Sequence, residues 1–292
     1  SHCWDCRVTM TTFIPKITKL SGRIIRILGC NPGPMTLQGT NTYLIGTGRS
    51  RLLFDTGELG VPEYIEQLRM VLKTEDIQIE GIIISHWHRD HTGGIADVKR
   101  LIDKADCPVY KFKSIDPPDE KGFNFLHNNE VLSTKGATVR VIHTPGHTSD
   151  HICLFMEEEK SLFSGDCILG EGSSVFEDLH SYMASLEKIK NLLPKVLYPG
   201  HGPVVEDPVA KIEEYIAHRN EREKQILEAI INSRKSISID EIVSKVYKET
   251  PEALLKAAAG NVLHHVQKLK KDGKLKETEA GGVMARYITN NI

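Results

Sequence analysis

The stretch Ser85-His86-Trp87-His88-Arg89-Asp90-His91-Thr92-Gly93-Gly94 narrows what this chain can become more than any other. Three histidines and one aspartate fall within six positions of a chain that has 13 histidines in 292 residues. Ahead of it, Gly81-Ile82-Ile83-Ile84 is an apolar, β-branched run, the pattern of a short buried strand. Behind it, Gly93-Gly94 interrupts before a helix-like segment from Ile95 to Lys104. The polar group therefore sits on a loop at a strand end, where a sheet can hold converging side chains in place. His86 and His88, two apart in extended backbone, can reach one cation together. Asp90 and His91, further round the bend, can reach a second. Imidazole and carboxylate are the ordinary donors for zinc outside thiolate sites.

Other strand ends carry residues of the same kind. Arg51 to Phe54 leads into Asp55, ahead of a helix expected from Val61 to Leu72. Thr138 to Ile142 leads into His143-Thr144-Pro145-Gly146-His147-Thr148-Ser149-Asp150-His151, where Pro-Gly presents His147 on a sharp turn. Ser161 to Gly165 ends in Asp166-Cys167, and regular alternation turns Cys167 away from Asp166. Val196 to Tyr198 runs into Pro199-Gly200-His201. Nearer the start, a strand is expected over Ile24 to Leu28 and another from Thr42 to Ile45, with Asn41 and Tyr43 on one face. Pro108 to Phe112 reads as a strand, followed by a polar loop at Asp116-Pro117-Pro118-Asp119. Gly170-Glu171-Gly172-Ser173-Ser174 reads as a mobile loop, either a connector or a row of N–H groups able to hold an anion.

At 292 residues the chain suits one large domain or two. No apolar run approaches the ~20 residues that span a bilayer, so no membrane partner is expected. Six scattered cysteines are not the framework of a disulfide scaffold and point to a reducing compartment. Cys3 and Cys6 form a CxxC ahead of Met10, in a stretch read as foreign to the native start. From Met10 to Phe54 there is no acidic residue, while Lys16, Lys19, Arg23, Arg26, Arg49 and Arg51 are basic. That composition fits a weak mitochondrial transit segment or an ordinary basic first strand.

Asp207-Pro208 is a helix start, and Ile212, Tyr215, Ile216, Ile226, Leu227 and Ile230 recur at helical spacing. Two more helices are expected over Ile239 to Tyr247 and Ala253 to Lys271, then a hairpin from Gly273 to Thr289 turning at Gly281-Gly282. Three helices and a hairpin resemble a winged-helix unit. Ala253 to Lys276 holds six lysines and one acid, Asp272, either a phosphate-facing patch or a solvated helix face.

Taken in chain order, Asp55, the 86–91 loop, His147, Asp166 and His201 resemble the five motifs of the metallo-β-lactamase fold superfamily. The resemblance implies an αββα sandwich over residues 10–206, with the winged-helix-like unit over 207–292. It implies two Zn2+ ions per chain sharing a hydroxide, one held by His86, His88 and His147, the other by Asp90, His91 and His201, with Asp166 bridging. Asp90 and Asp166 are accordingly expected to be catalytic. Asp55 is expected to support the ligands without binding metal, because ligating imidazoles need a partner on the second nitrogen; capping the following helix is the alternative. Asn41 is a candidate substrate contact. His143 is expected to be a strand residue, His151 either a support or a packed histidine, and Cys167 no ligand.

Fold and metals do not fix a substrate. β-Lactamases of the common zinc type lack the Asp-His pair at this spacing. The large RNA-processing branch inserts a domain where here only 34 residues lie between Asp166 and His201. Thiolester hydrolases of the glyoxalase II type share Thr-Pro-Gly-His-Thr-Ser, but their helical tail is unlike residues 207–292. Over residues 19–276 the chain is similar to a branch that cuts single-stranded RNA in the mitochondrial matrix. That similarity implies a zinc-dependent endoribonuclease with single-stranded RNA as partner and no obligate protein partner. A small-molecule thiolester hydrolase, a cytoplasmic location and a metal-binding protein without turnover are the alternatives.

Overall fold

The computed structural model describes residues 12–114, 122–248, 250–279 and 285–290. The Cys3–Cys6 pair, the loop at Asp116–Asp119 and the Gly281-Gly282 turn expected from the sequence lie outside them. Two mixed sheets face each other. The first runs, in spatial order, β1 (Ile17–Lys19), β2 (Ile24–Leu28), β3 (Asn41–Ile45), β4 (Ser50–Phe54), β5 (Gln78–Ile84), β6 (Val109–Phe112) and β7 (Asn124–Leu126). It is antiparallel up to β4 and parallel from β4 to β7. The second comprises β8 (Val131–Thr134), β9 (Ala137–His143), β10 (Ile152–Met156), β11 (Ser161–Gly165) and β12 (Val196–Pro199), antiparallel except for the β11–β12 pair.

Strand alternation explains why these segments are apolar throughout. Tyr43, Phe54, Ile83, Val141, Leu154 and Phe163 point between the sheets. Their neighbours Leu44, Leu53 and Ile82 point outward, under Tyr64 and Leu68 of α1 (Pro62–Thr74) and Val98 of α3 (Ile95–Leu101), which follows the single turn α2 (Arg89–Thr92). On the opposite outside, Cys153, Leu162 and Leu197 lie under Tyr182 and Leu186 of α4 (Leu179–Lys190) and Ile212 and Tyr215 of α5 (Pro208–Ser233). With both faces of each sheet covered, neither side of a strand can be polar without a buried partner, which is why near-continuous aliphatic runs occur in the sequence. The four layers are helix, sheet, sheet, helix.

The C-terminal unit has its own core. Ile226 and Ile230 of α5, Ile242 of α6 (Ile239–Val246), Val262, Val266 and Leu269 of α7 (Leu255–Lys271) and Tyr287 pack together. The small sheet of β13 (Ile237–Ser238), β14 (Leu275–Glu279) and β15 (Arg286–Thr289) closes it. Asp207 caps α5 through Ala210 N at 3.2 Å, and the helix runs 26 residues without a break. Its first half packs under the second sheet and its second half belongs to the C-terminal core, so the division at 206/207 falls at the start of a shared helix.

Two basic stretches find their partners within the chain. Lys16 pairs with Glu63, Lys19 with Glu75, Arg23 with Glu159 and Arg49 with Asp76. In the C-terminal unit Lys268 binds Glu223 and Asp272, Lys270 Glu277, Lys271 Asp178 and Lys274 Glu223. Four of the six lysines in that row are thus paired with carboxylates. No helix among the described residues is long and apolar enough to cross a membrane.

One buried ion pair ties the two sheets together near the 143–151 turn. Lys111 Nζ on β6 meets Asp150 Oδ2 at 2.6 Å, with both side chains at most 1% exposed. Asp150 also accepts from Thr148 Oγ1 at 2.7 Å. Removing one charge strands the other in a dry interior. Asp150→Ala should lose roughly 3–5 kcal/mol of stability in urea unfolding, and the double variant Lys111→Met/Asp150→Leu should recover part of it.

Candidate metal centre

Five strand ends open onto one edge of the sandwich, and each delivers its polar residue there. His86, His88, His147 and Asp166 form one group of donors; Asp90, His91, Asp166 and His201 form another. In the first group His86 Nε2 and His88 Nδ1 are 2.9 Å apart, and His147 Nε2 is 3.2 Å from each. Asp166 Oδ2 lies 3.6 Å from His147 Nε2. In the second, His91 Nε2 and His201 Nε2 are 3.3 Å apart. Asp90 Oδ2 is 3.2 Å and 3.1 Å from them, and Asp166 Oδ1 is 3.4 Å from both.

These spacings fit metal ions. Four donors arranged tetrahedrally about 2.0–2.1 Å from a zinc ion lie about 3.3 Å from one another. Bare lone pairs gathered so closely repel unless a cation sits among them. Asp166 Oδ1 is buried with no hydrogen-bond donor, and such an atom calls for an ion or a water. Asp166 gives one oxygen to each group, so the cluster is able to bind two metal ions with a shared carboxylate.

The second nitrogen of each buried ring sets the first. His91 Nδ1 donates to Asp55 Oδ2 at 2.7 Å, His147 Nδ1 to Val175 O at 2.8 Å and His201 Nδ1 to Gly39 O at 3.2 Å. His86 Nδ1 meets Ser85 Oγ at 2.9 Å, and that hydroxyl donates to Asp55 Oδ2 at 2.8 Å. Each Nε2 is thereby left as an acceptor facing the centre. Asp55 also receives Ser85 N at 2.8 Å, so it anchors the start of the 85–91 loop. It does so in left-handed backbone, φ 61°, a conformation that costs a non-glycine residue of order 1–3 kcal/mol and clusters at functional sites.

The two halves differ electrostatically. Burial, with His91 and His147 beside it, holds His86 well below its usual pKa. His88 is pushed down to about 4, first by burial and then by His147. Burial also opposes charge on His91 and His201, but the carboxylates around them outweigh it. Asp166, Asp55 and Asp90 raise His91 well above the normal value, and Asp166 and Asp90 carry His201 up to about 9. Burial likewise works against the Asp90 carboxylate, yet His91 and His201 hold it well below the usual range. The second half thus attracts positive charge, whether proton or metal. His88 and Asp90 are only half-buried while the other donors are buried, so the centre opens on their side.

The remaining sequence expectations divide. His143 ends β9, stacks on Phe112 at 3.9 Å and donates Nε2–H to Ser149 O. His151, fully buried, accepts from Asp166 N at 3.1 Å through Nε2 and bonds Thr144 Oγ1 through Nδ1. It is a positioning residue for the bridging carboxylate. Cys167 points into the apolar layer under α4. Asn41 does not line the opening as expected of a substrate contact. It is fully buried, and its amide donates to Pro199 O and Gly202 O, strapping down the turn that carries His201. The 170–174 loop, expected to be mobile, is fastened. Glu171 accepts from Thr12 N and Gln38 Nε2, Tyr215 OH donates to Gly172 O, and Ser174 Oγ donates to Asp166 O.

Arg219 was invisible from the sequence. It reaches from α5 to Ser173 Oγ at 3.0 Å and Ser174 O at 3.1 Å, and its guanidinium lies 5.0–5.4 Å from the rings of Phe176, Tyr182 and Tyr215. The arginine at i+4 from Tyr215 on one helix was the only signal available.

Residues 35–201 match the profile of the Metallo-beta-lactamase superfamily, and residues 238–282 that of the Beta-lactamase associated winged helix domain. A Beta-lactamase-like protein 2 homolog of Drosophila melanogaster is 51% identical over 277 residues, covering 91% of this chain and 94% of the relative. A protein of the same description from Caenorhabditis elegans is 48% identical over 263 residues, covering 90% and 89%. The crystal structure of a metallo-beta-lactamase family protein from Thermus thermophilus superposes with TM-score 0.71 at 22% identity, covering 93% of this chain and 100% of the other; at that identity the likeness is one of fold. The chain belongs to the metallo-β-lactamase superfamily, whose members are generally hydrolases, and carries the associated winged-helix domain.

Two outcomes are expected of the centre. His151→Ala should weaken metal affinity roughly ten- to hundredfold, as loss of an outer support does, in competition with a chromophoric chelator. With His201 raised to about 9, the metal-free protein holds a proton there at pH 7 that a ligating ring must give up. Zinc titration calorimetry in buffers of differing ionisation heat should therefore show net proton release at pH 7, with the His201 contribution vanishing above pH 9.

Proposed function

We propose that this protein is a zinc-dependent endoribonuclease that hydrolyses phosphodiester bonds of single-stranded RNA, working in the mitochondrial matrix. The observation that carries the reading is the split carboxylate of Asp166, one oxygen in each donor group. Two ions held by such a donor set would suit in-line displacement at phosphorus. The resemblance over residues 19–276 to the RNA-cutting branch supports RNA among the substrates such a centre could serve. Zinc fits the nitrogen-rich donor set and the spacing.

Two ions held here would supply a water that ionises near neutral pH and would take up charge developing on the phosphoryl oxygens. The protein's own residues do the rest. His86, His88, His147, Asp90, His91 and His201 would hold the ions. Asp55, Ser85, Val175 and Gly39 keep the rings of His91, His86, His147 and His201 from turning, and His151 holds the backbone of Asp166. Asp166, with one oxygen in each group, would be shared between them. No serine or cysteine nucleophile is required.

Cleavage of a labelled single-stranded RNA is expected from the purified protein and lost on chelation. Asp166→Ala should lower it by roughly a hundred- to thousandfold or more, on the order of losing one charge-stabilising group. Equal cleavage by Asp166→Ala and parent would trace the activity to a contaminant. Turnover of S-lactoylglutathione with intact RNA would establish the thiolester alternative instead.

A further inference from the structure

Behind the strap Ser173–Phe176 lies a cavity of about 480 Å³ between α5 and α7, outside the metal centre. His218, Arg219 and Arg222 of α5 line one side; Gly260, Asn261 and His264 of α7 line the other. No acidic residue lines it. The charge pattern of this unit is uneven. Lys268, Lys270 and Lys271 of α7 are paired with carboxylates, whereas neither arginine at the cavity has a carboxylate partner among the described residues. Arg219 is 5% exposed and held by carbonyls, a hydroxyl and three rings, with Nε unpaired. Arg222, one turn on, lies over Tyr247 at 4.3 Å, a contact with the guanidinium face that leaves its edge N–H donors uncommitted. His264 Nδ1 is buried without a hydrogen-bond partner. A methyl group built at Gly260 would meet nothing within 4 Å, so the floor has room. The field is felt nearby: burial, then Arg222, Lys268 and Arg219, lower His265 to about 3.

Two residues of the cavity wall also touch the donor cluster. Val175 lines it and gives its carbonyl to His147 Nδ1, and Ser174, also on its wall, donates to the carbonyl of Asp166. An RNA chain lying across the donor cluster and over Val175 would meet this concave surface, lined by Arg219 and Arg222. We propose that this cavity is a second phosphate subsite, in which Arg222 and His264 hold a backbone phosphate beside the one being cut. The proposal rests on the endoribonuclease reading and extends it. Arg219, locked in its ring cage, supplies field and positions the strap, while Arg222 makes the contact. Such a subsite favours chains over mononucleotides, because a single phosphate cannot occupy both places.

Two variants test it. Arg222→Gln removes the charge; Gly260→Glu puts a carboxylate into open space at a site where leaving glycine favours the helix. Zinc content and thermal midpoint are compared with the parent to certify folding. For single-stranded RNA, KM should rise about tenfold in Arg222→Gln and more in Gly260→Glu. The slope of log(kcat/KM) against log salt should shrink by about 0.7, one phosphate contact on a single strand. Arg222→Lys should keep the slope. Unchanged KM and slope in both folded variants would overturn the subsite. Calorimetric titration with uridine 3′,5′-bisphosphate separates this idea from its parent reading. If the protein cuts no RNA but loses bisphosphate affinity in both variants, the nuclease reading falls and the anion site stands. If the parent does not bind the bisphosphate, or both variants bind it equally well, the site falls.

Discussion

Seven donor side chains crowd into one edge of this molecule with their lone pairs turned toward each other. Nothing in a protein interior favours that arrangement by itself. Imidazole nitrogens 2.9–3.3 Å apart and a buried carboxylate oxygen without a donor are tolerable only around positive charge. The rest of the structure can be understood as the apparatus that holds this unfavourable gathering until cations balance it. Two sheets covered on both faces supply rigidity, and their strand ends supply the placement.

Rigidity at the strand ends is achieved by cross-links between loops from distant parts of the chain. Asp55 fastens the 85–91 loop, His151 fastens Asp166, and Asn41 fastens the turn bearing His201. Arg219 and Tyr215 fasten the strap behind His147. Glycine enters where two such loops touch. A side chain at Gly200 would come within 2.4 Å of Asp166 Oδ1, and one at Gly146, where φ is 136°, within 2.4 Å of the Tyr182 backbone. Only bare backbone lets the bridging carboxylate and the His147 turn sit where they do.

What could be read from the sequence followed from local rules. Apolar β-branched runs ending in His or Asp announced both strands and donors, and β2 spans Ile24–Leu28 as the pattern indicates. The helix after the 85–94 loop stops at Leu101, short of the expected Lys104, and the chain turns at Asp103 in left-handed backbone, φ 52°. Asn41 shows where local reading ends. Its place beside the centre was legible, but whether its amide faces solvent or the 199–202 turn depends on a contact 158 residues away. The same holds for Arg219, whose partner Ser173 is 46 residues distant, and for the lysines of α7, whose carboxylates come partly from other elements. Pairings of that kind leave no periodicity to detect.

The 26-residue helix α5 is a shaft passing through both bodies of the molecule. Its front half is floor for the catalytic layers, its middle grips the strap, and its rear is a wall of the winged helix. A joint made from one unbroken helix resists bending far better than a peptide linker. The winged helix is therefore joined to the two-sheet body by shared helix rather than by a linker. Its position beside the donor cluster is held by a helix that both cores share.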